Sequence, residues 1–195
     1  MPFASRPHVK LLAAGLGAFL ILASAVPSPG KPAKDAETRK AGEEAKAAAK
    51  VAAKVQWLTF DAAITKAKKE NKHVIVDVYT NWCGWCKVMD KQTYGDPAVA
   101  SYLNDNFALA KVNGESSAWM TWKGDSLSER QFAKAIGVSG YPATYFMKPN
   151  EEMLGGVAGY IKTPEMMIYA KFVSTRYYEK GQLKQFADSL RKLGS

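Results

Sequence analysis

The sequence predicts an α/β fold: a central mixed β-sheet flanked by helices on both faces, with an extra C-terminal helix. Helical and strand-like segments alternate from Thr59 to Val112, the order that builds parallel strands. Two further apolar runs, residues 143–147 and 153–159, flank a Pro149-Asn150-Glu151 turn signal and so form an antiparallel pair. A third observation concerns chemistry. The two cysteines of the chain stand three apart, directly after an apolar strand.

The elements follow in order. Thr59 or Asp61 caps a helix carrying Phe60, Ile64 and Ala67, which closes in the polar run 68–72. The β-branched stretch His73–Tyr79 reads as a buried central strand. A helix over about 83–92 comes next. Asp96 as cap and Pro97 in the first turn then start a short helix through Val99 and Leu103. Residues 107–112 form a strand, and 113–126 are a polar, tryptophan-containing insertion without a clear period. A helix over about 128–136 leads to the strand pair. Thr163-Pro164-Glu165 opens another helix, which Gly181 breaks before a last amphipathic segment with Leu183, Phe186, Leu190 and Leu193.

The length of 195 residues suits one domain with appendages, and the apolar fraction of 47% is that of a folded chain. The domain is expected over 56–195. Before it, Arg6 and Lys10 precede an apolar run that ends in Ala23-Ser24-Ala25, the pattern of a secretory signal peptide over 1–25. Cleavage after Ala25 is the first expectation and an uncleaved anchor the alternative; either way the rest is exported. Residues 26–55 are rich in Ala, Lys and Glu with almost no large apolar side chain, which reads as a linker. A lipid-binding helix would need a bulky apolar face, which this stretch lacks. The net charge of +9 falls to +7 without the signal and is dispersed, so nothing calls for nucleic acid.

Cys83 and Cys86 invite several readings. A structural disulfide between residues so close removes little entropy from the unfolded chain. A zinc site needs more ligands than the pair, with His73 and His8 as the remaining candidates, offers. Haem attachment needs histidine where Lys87 stands. Thiol–disulfide chemistry fits the strand–CxxC–helix context best. With Cys83 in the first turn and Cys86 one turn later, both thiols share a helix face, and the helix N-terminus stabilises a Cys83 thiolate.

The stretch Val76-Asp77-Val78-Tyr79-Thr80-Asn81-Trp82-Cys83-Gly84-Trp85-Cys86-Lys87 resembles the active-site segment of thioredoxins. Gly140-Tyr141-Pro142-Ala143-Thr144 resembles their later loop. The likeness runs from about Trp57 to Tyr178. It is nearest to exported thioredoxin-like proteins, including the SoxW-like group and the C-terminal domain of DsbD.

The resemblance implies a thioredoxin fold, Cys83 as nucleophile and Cys86 as the more buried resolving thiol. It implies that Asp77 is a buried acid assisting proton transfer, although a lone strand Asp could also be a cap or edge residue. Lys111 matches the lysine that pairs with this acid; a surface strand lysine is the other reading. Pro142 matches the family's cis-proline, with the Tyr141 backbone exposed to a substrate chain. Trp82 matches a tryptophan that shields the site, or is simply core. Gly84, Trp85, Trp82, Tyr141 and Pro142 make up the implied substrate-binding set. Two departures stand out: Trp85 replaces the usual proline, and Tyr141 replaces a smaller aliphatic residue.

These readings converge on a periplasmic protein-disulfide reductase. Its partners would be oxidised client proteins and a membrane thiol–disulfide electron donor. It would work as a monomer, with no cofactor or metal beyond the redox-active cysteine pair. The alternatives are a disulfide oxidase or isomerase, and a thiol-dependent binding module without turnover.

Overall fold

Along β1 (His73–Tyr79), Val74, Val76 and Val78 point to one face while Ile75 and Asp77 point to the other, as the two-residue period of a strand requires. That alternation sorts the molecule into two cores. In the computed structural model, which describes residues 54–193, β1 lies in a four-stranded sheet of order β2-β1-β5-β6. β2 (Phe107–Asn113) runs parallel to β1, with Asp77 beside Lys111 in register. β5 (Ala143–Met147) is antiparallel to β1 and β6 (Met153–Ala158) to β5. The expected mixed sheet is therefore present.

One face is covered by α1 (Phe60–Glu70) and α4 (Glu129–Ala135), which bring Phe60, Ile64 and Phe132 onto the three valines. Thr59, not Asp61, caps α1; Asp61 instead accepts the backbone N–H of Thr121 at 2.8 Å. The other face is covered by α2 (Gly84–Gln92), α3 (Pro97–Asn106) and α5 (Thr163–Ser174). Their Met89, Leu103, Met166 and Val173 pack with Ile75, Leu109 and Phe146. Asp96 caps α3 as expected, its Oδ1 accepting from the N–H groups of Ala98 and Val99.

Two expectations are corrected. Residues 119–128 are not aperiodic but form an antiparallel hairpin, β3 (Trp119–Trp122) with β4 (Asp125–Ser128). Its two-residue turn uses positive φ at Lys123 (54°) and Gly124 (90°), the primed geometry that suits a twisted hairpin. The helix opened at Thr163 stops at Ser174, well before Gly181, because the chain turns left-handed at Arg176. A short 3₁₀ turn follows, then α6 (Leu183–Leu193) as the extra C-terminal helix. At the start of the described residues the Lys54 carbonyl accepts from Asn104 Nδ2 at 2.8 Å, and Val55 packs on the second core. The signal at 1–25 and the rest of the 26–55 linker lie outside the described residues.

Candidate active site

Strand β1 runs out at Tyr79, and the chain turns through Thr80 to Trp82 before α2 begins. Cys83 is the N-cap of α2, in extended conformation, and Cys86 lies in its first turn. The pair is joined in a disulfide, with a Cα–Cα distance of 5.3 Å. The Cys83 Sγ accepts the backbone N–H of Cys86 at 3.0 Å. A sulfur in that position faces unsatisfied N–H groups and the positive end of the helix dipole, which favour negative charge on it. Burial does not separate the two cysteines: Cys83 is 3% exposed and Cys86 5%. The expected difference is absent in this oxidised form because the S–S bond draws both sulfurs onto the same turn.

Asp77 lies on β1 six residues before Cys83 and is almost fully buried. On one side its Oδ2 is 3.5 Å from Lys111 Nζ. On the other, the Tyr94 hydroxyl donates to Oδ1 at 3.3 Å and also lies 3.4 Å from Thr144 Oγ1. Burial pushes the Asp77 carboxyl up to about 6, against the opposing pull of Lys111. Lys111 is no surface lysine. It is ion-paired with Asp90 of α2 as well as with Asp77, and its Nζ stands 5.0 Å from the ring centre of Trp57.

Around the cysteines, Trp82, Gly84 and Trp85 adjoin the pair in the chain, and Tyr141 reaches Trp82. Trp82 is not core; it is 66% exposed, with its Nε1–H donating to Glu115 Oε2 at 3.0 Å. It meets the Tyr141 ring edge-on at 5.9 Å. Trp85 is 62% exposed and lies against Tyr160 at 5.6 Å between centroids. The Tyr141–Pro142 peptide is cis, and Gly84 has open space where a side chain would point.

Sequence reasoning missed Asp90, Tyr94, Glu115 and the contact role of Gly114. Asp90 carried a usable signal: it is four residues after Cys86, hence on the same helix face. Tyr94 and Glu115 lie in connecting segments, whose contacts no spacing rule reveals. His73, considered as a nitrogen ligand, is buried with Nε2 2.8 Å from the Tyr178 hydroxyl. No group of three or more His, Cys, Asp or Glu among the described residues could hold a metal ion.

A cysteine pair opening a helix behind a central strand, with a cis-proline just before the antiparallel strand beside it, fits a thioredoxin-fold protein. Solved structures agree on the fold: a Helicobacter pylori thioredoxin-fold protein superposes with a TM-score of 0.56 at 16% identity, over 64% of this chain and 87% of that one. A Thermus thermophilus thioredoxin gives 0.51 at 21% identity, over 61% and 86%. The chain belongs to the family described as "Thioredox_DsbH: Protein of unknown function, DUF255", whose model matches residues 45–185. Similar curated proteins include the uncharacterized protein B0495.5 of Caenorhabditis elegans, 33% identical over 103 residues, 52% of this chain and 14% of that one. The thiol:disulfide interchange protein DsbD of Photorhabdus laumondii is 30% identical over 91 residues, 46% of this chain and likewise 14% of its own length. Each match thus spans about a seventh of the relative.

Proposed function

We propose that this chain is an exported thiol:disulfide oxidoreductase that reduces disulfides of client proteins. The observation that carries the reading is the Cys83 sulfur at the N-cap of α2, accepting the Cys86 N–H. In the reduced protein the same N–H groups stabilise a Cys83 thiolate. That thiolate attacks one sulfur of a client disulfide, forming a mixed disulfide and releasing the other client sulfur as thiolate. Cys86 then gives its proton to the Asp77 carboxylate and attacks the Cys83 sulfur. The Cys83–Cys86 bond forms, the second client thiolate leaves, and two electrons have passed from the dithiol to the client. Lys111 holds Asp77 against full protonation near neutral pH, while Trp82, Gly84, Trp85, Tyr141 and Pro142 receive the client chain.

The resemblance to DsbD, a thiol:disulfide interchange protein, supports a membrane thiol donor that restores the dithiol. The N-terminal signal pattern supports a periplasmic location, and among the described residues no helix is long and apolar enough to cross a membrane. The proposal includes a monomer, no nucleic acid, and no cofactor beyond the cysteine pair.

Three experiments test it. The reduced protein should turn over insulin disulfides; an intact dithiol that captures partners without turnover would make it a binding module instead. Cys86→Ala should leave clients covalently held on Cys83, whereas trapping by Cys83→Ala alone would reverse the two roles. Equilibration with glutathione decides direction. A potential near about −270 mV supports the reductase, and one near about −120 mV an oxidase.

A further inference from the structure

Trp82 is a large exposed side chain on a loop, yet it is held on two sides. Its indole N–H is fixed by Glu115, and its ring by Tyr141. Both restraints come from a single turn at the start of the 113–126 insertion. Glu115 lies in that turn, and the Tyr141 ring lies on Gly114 beside it. A Cβ on Gly114 would sit 2.3 Å from Tyr141 Oη and 2.7 Å from the ring carbon Cε1, so only glycine lets the tyrosine lie there.

The turn is itself anchored. The Gly114 N–H bonds to the carbonyl of Tyr79, the last residue of β1, at 2.9 Å. The Asn113 side chain accepts the Glu115 N–H at 3.0 Å. From α4, the Arg130 guanidinium donates to the Glu115 carbonyl and the Arg130 N–H to that of Ser116. A chain of contacts therefore runs from the sheet and α4 through Gly114 and Glu115 to Trp82, the neighbour of Cys83 in the chain, and to the Tyr141 ring that meets it.

We propose that the Gly114–Glu115 turn is a positioning element for client binding. It locks Trp82 and Tyr141 into one fixed, exposed aromatic surface. Trp82 adjoins Cys83 in the chain, so this surface lies beside the redox-active disulfide. It fits an extended client segment carrying an apolar or aromatic side chain beside its reacting cysteine. Holding the rings before the client arrives removes the ordering cost that a free tryptophan would add on binding. Little of the Trp82 ring is buried by these contacts, so their effect falls on recognition. The inference rests on the reductase reading and names the substrate surface it uses.

Gly114→Ala should swing the tyrosine ring away while leaving the fold intact, because only the far end of a flexible side chain is displaced. KM for insulin should rise about tenfold or more, with kcat and the rate on a small disulfide such as hydroxyethyl disulfide within about twofold of wild type. In a Tyr141→Ala background the same glycine change should add less than about twofold, since the ring it displaces is gone. Glu115→Ala should raise KM similarly, and Glu115→Gln, which keeps an acceptor oxygen, should restore most of it. Equal losses on insulin and the small disulfide, or full additivity with Tyr141→Ala, would overturn the proposal. A wild-type protein inert toward insulin overturns the reductase reading instead. The turn is then judged by how fast the Cys86→Ala protein captures a peptide disulfide with and without Gly114→Ala. A capture rate unchanged by the glycine substitution counts against it, and a tenfold loss supports it.

Discussion

At the scale of single residues, the controlling feature is a carboxyl group placed where water is not. Asp77 occupies a strand position whose neighbours on the same face are Ile75 and Leu109, and its polar company includes Lys111, Tyr94 and the charge of Asp90. Its carboxyl rises from 3.8 to about 6. The native protein therefore binds more protons than the unfolded chain between those values, so stability falls as pH rises through that window and levels off above it. Asp77→Asn removes the penalty. It should stabilise the protein by about 3 kcal/mol at pH 8 and by almost nothing below pH 3.8, read from urea midpoints at the two pH values. The same variant should slow release of the mixed disulfide, because Cys86 loses its proton acceptor. Lys111→Met should act in the opposite sense on the titration. With the cation gone, the Asp77 carboxyl moves above 6, and NMR of that carboxyl should show it. A carboxyl that titrates unchanged in this variant would mean that Lys111 serves only Asp90.

Elements differ in how plainly the sequence announces them, and local chemistry explains the difference. Asp96-Pro97 sets α3 because a short acceptor and a residue without N–H solve the same problem at the helix start. β1 is readable because a β-branched run before a CxxC leaves few alternatives. The β3–β4 hairpin was not readable. Its Lys123-Gly124 turn has lysine where Asn or Asp would flag a primed turn, and only Met120 of β3 is buried, so no apolar alternation marks it. At the site, Cys83, Cys86, Asp77, Lys111 and Pro142 were legible from spacing and resemblance. Tyr94 and Glu115 were not, because their roles arise from contacts between segments far apart in sequence. The hairpin supplies its own test. Gly124 has φ of 90° and nothing within 4 Å of a Cβ built on it. Gly124→Ala should therefore cost about 1–2 kcal/mol through backbone strain alone. Urea denaturation should show that loss, with insulin turnover unchanged. A larger cost would mean that the turn is packed against something.

For the whole molecule, the sheet acts as a partition: it has one core on each face, and the site's proton chemistry belongs to only one of them. Phe132 is fully buried with Phe60 and the three valines, while Met89 is fully buried with Tyr94 and Ile75 behind the cysteine helix. Burial is the main cause of the raised Asp77 carboxyl, so whatever admits water on the Met89 side should lower it. Met89→Ala and Phe132→Ala should each destabilise by roughly 2–5 kcal/mol, since both leave cavities in packed cores. Their effects on Asp77 should differ. Met89→Ala opens the face that carries the acid and should bring its titration down from about 6 toward the ordinary carboxylate range, whereas Phe132→Ala should leave it in place. Carboxyl NMR on the two variants at matched stability separates the cases. Equal displacement by both would mean that the sheet transmits packing changes between its faces, and the division of labour would then be wrong.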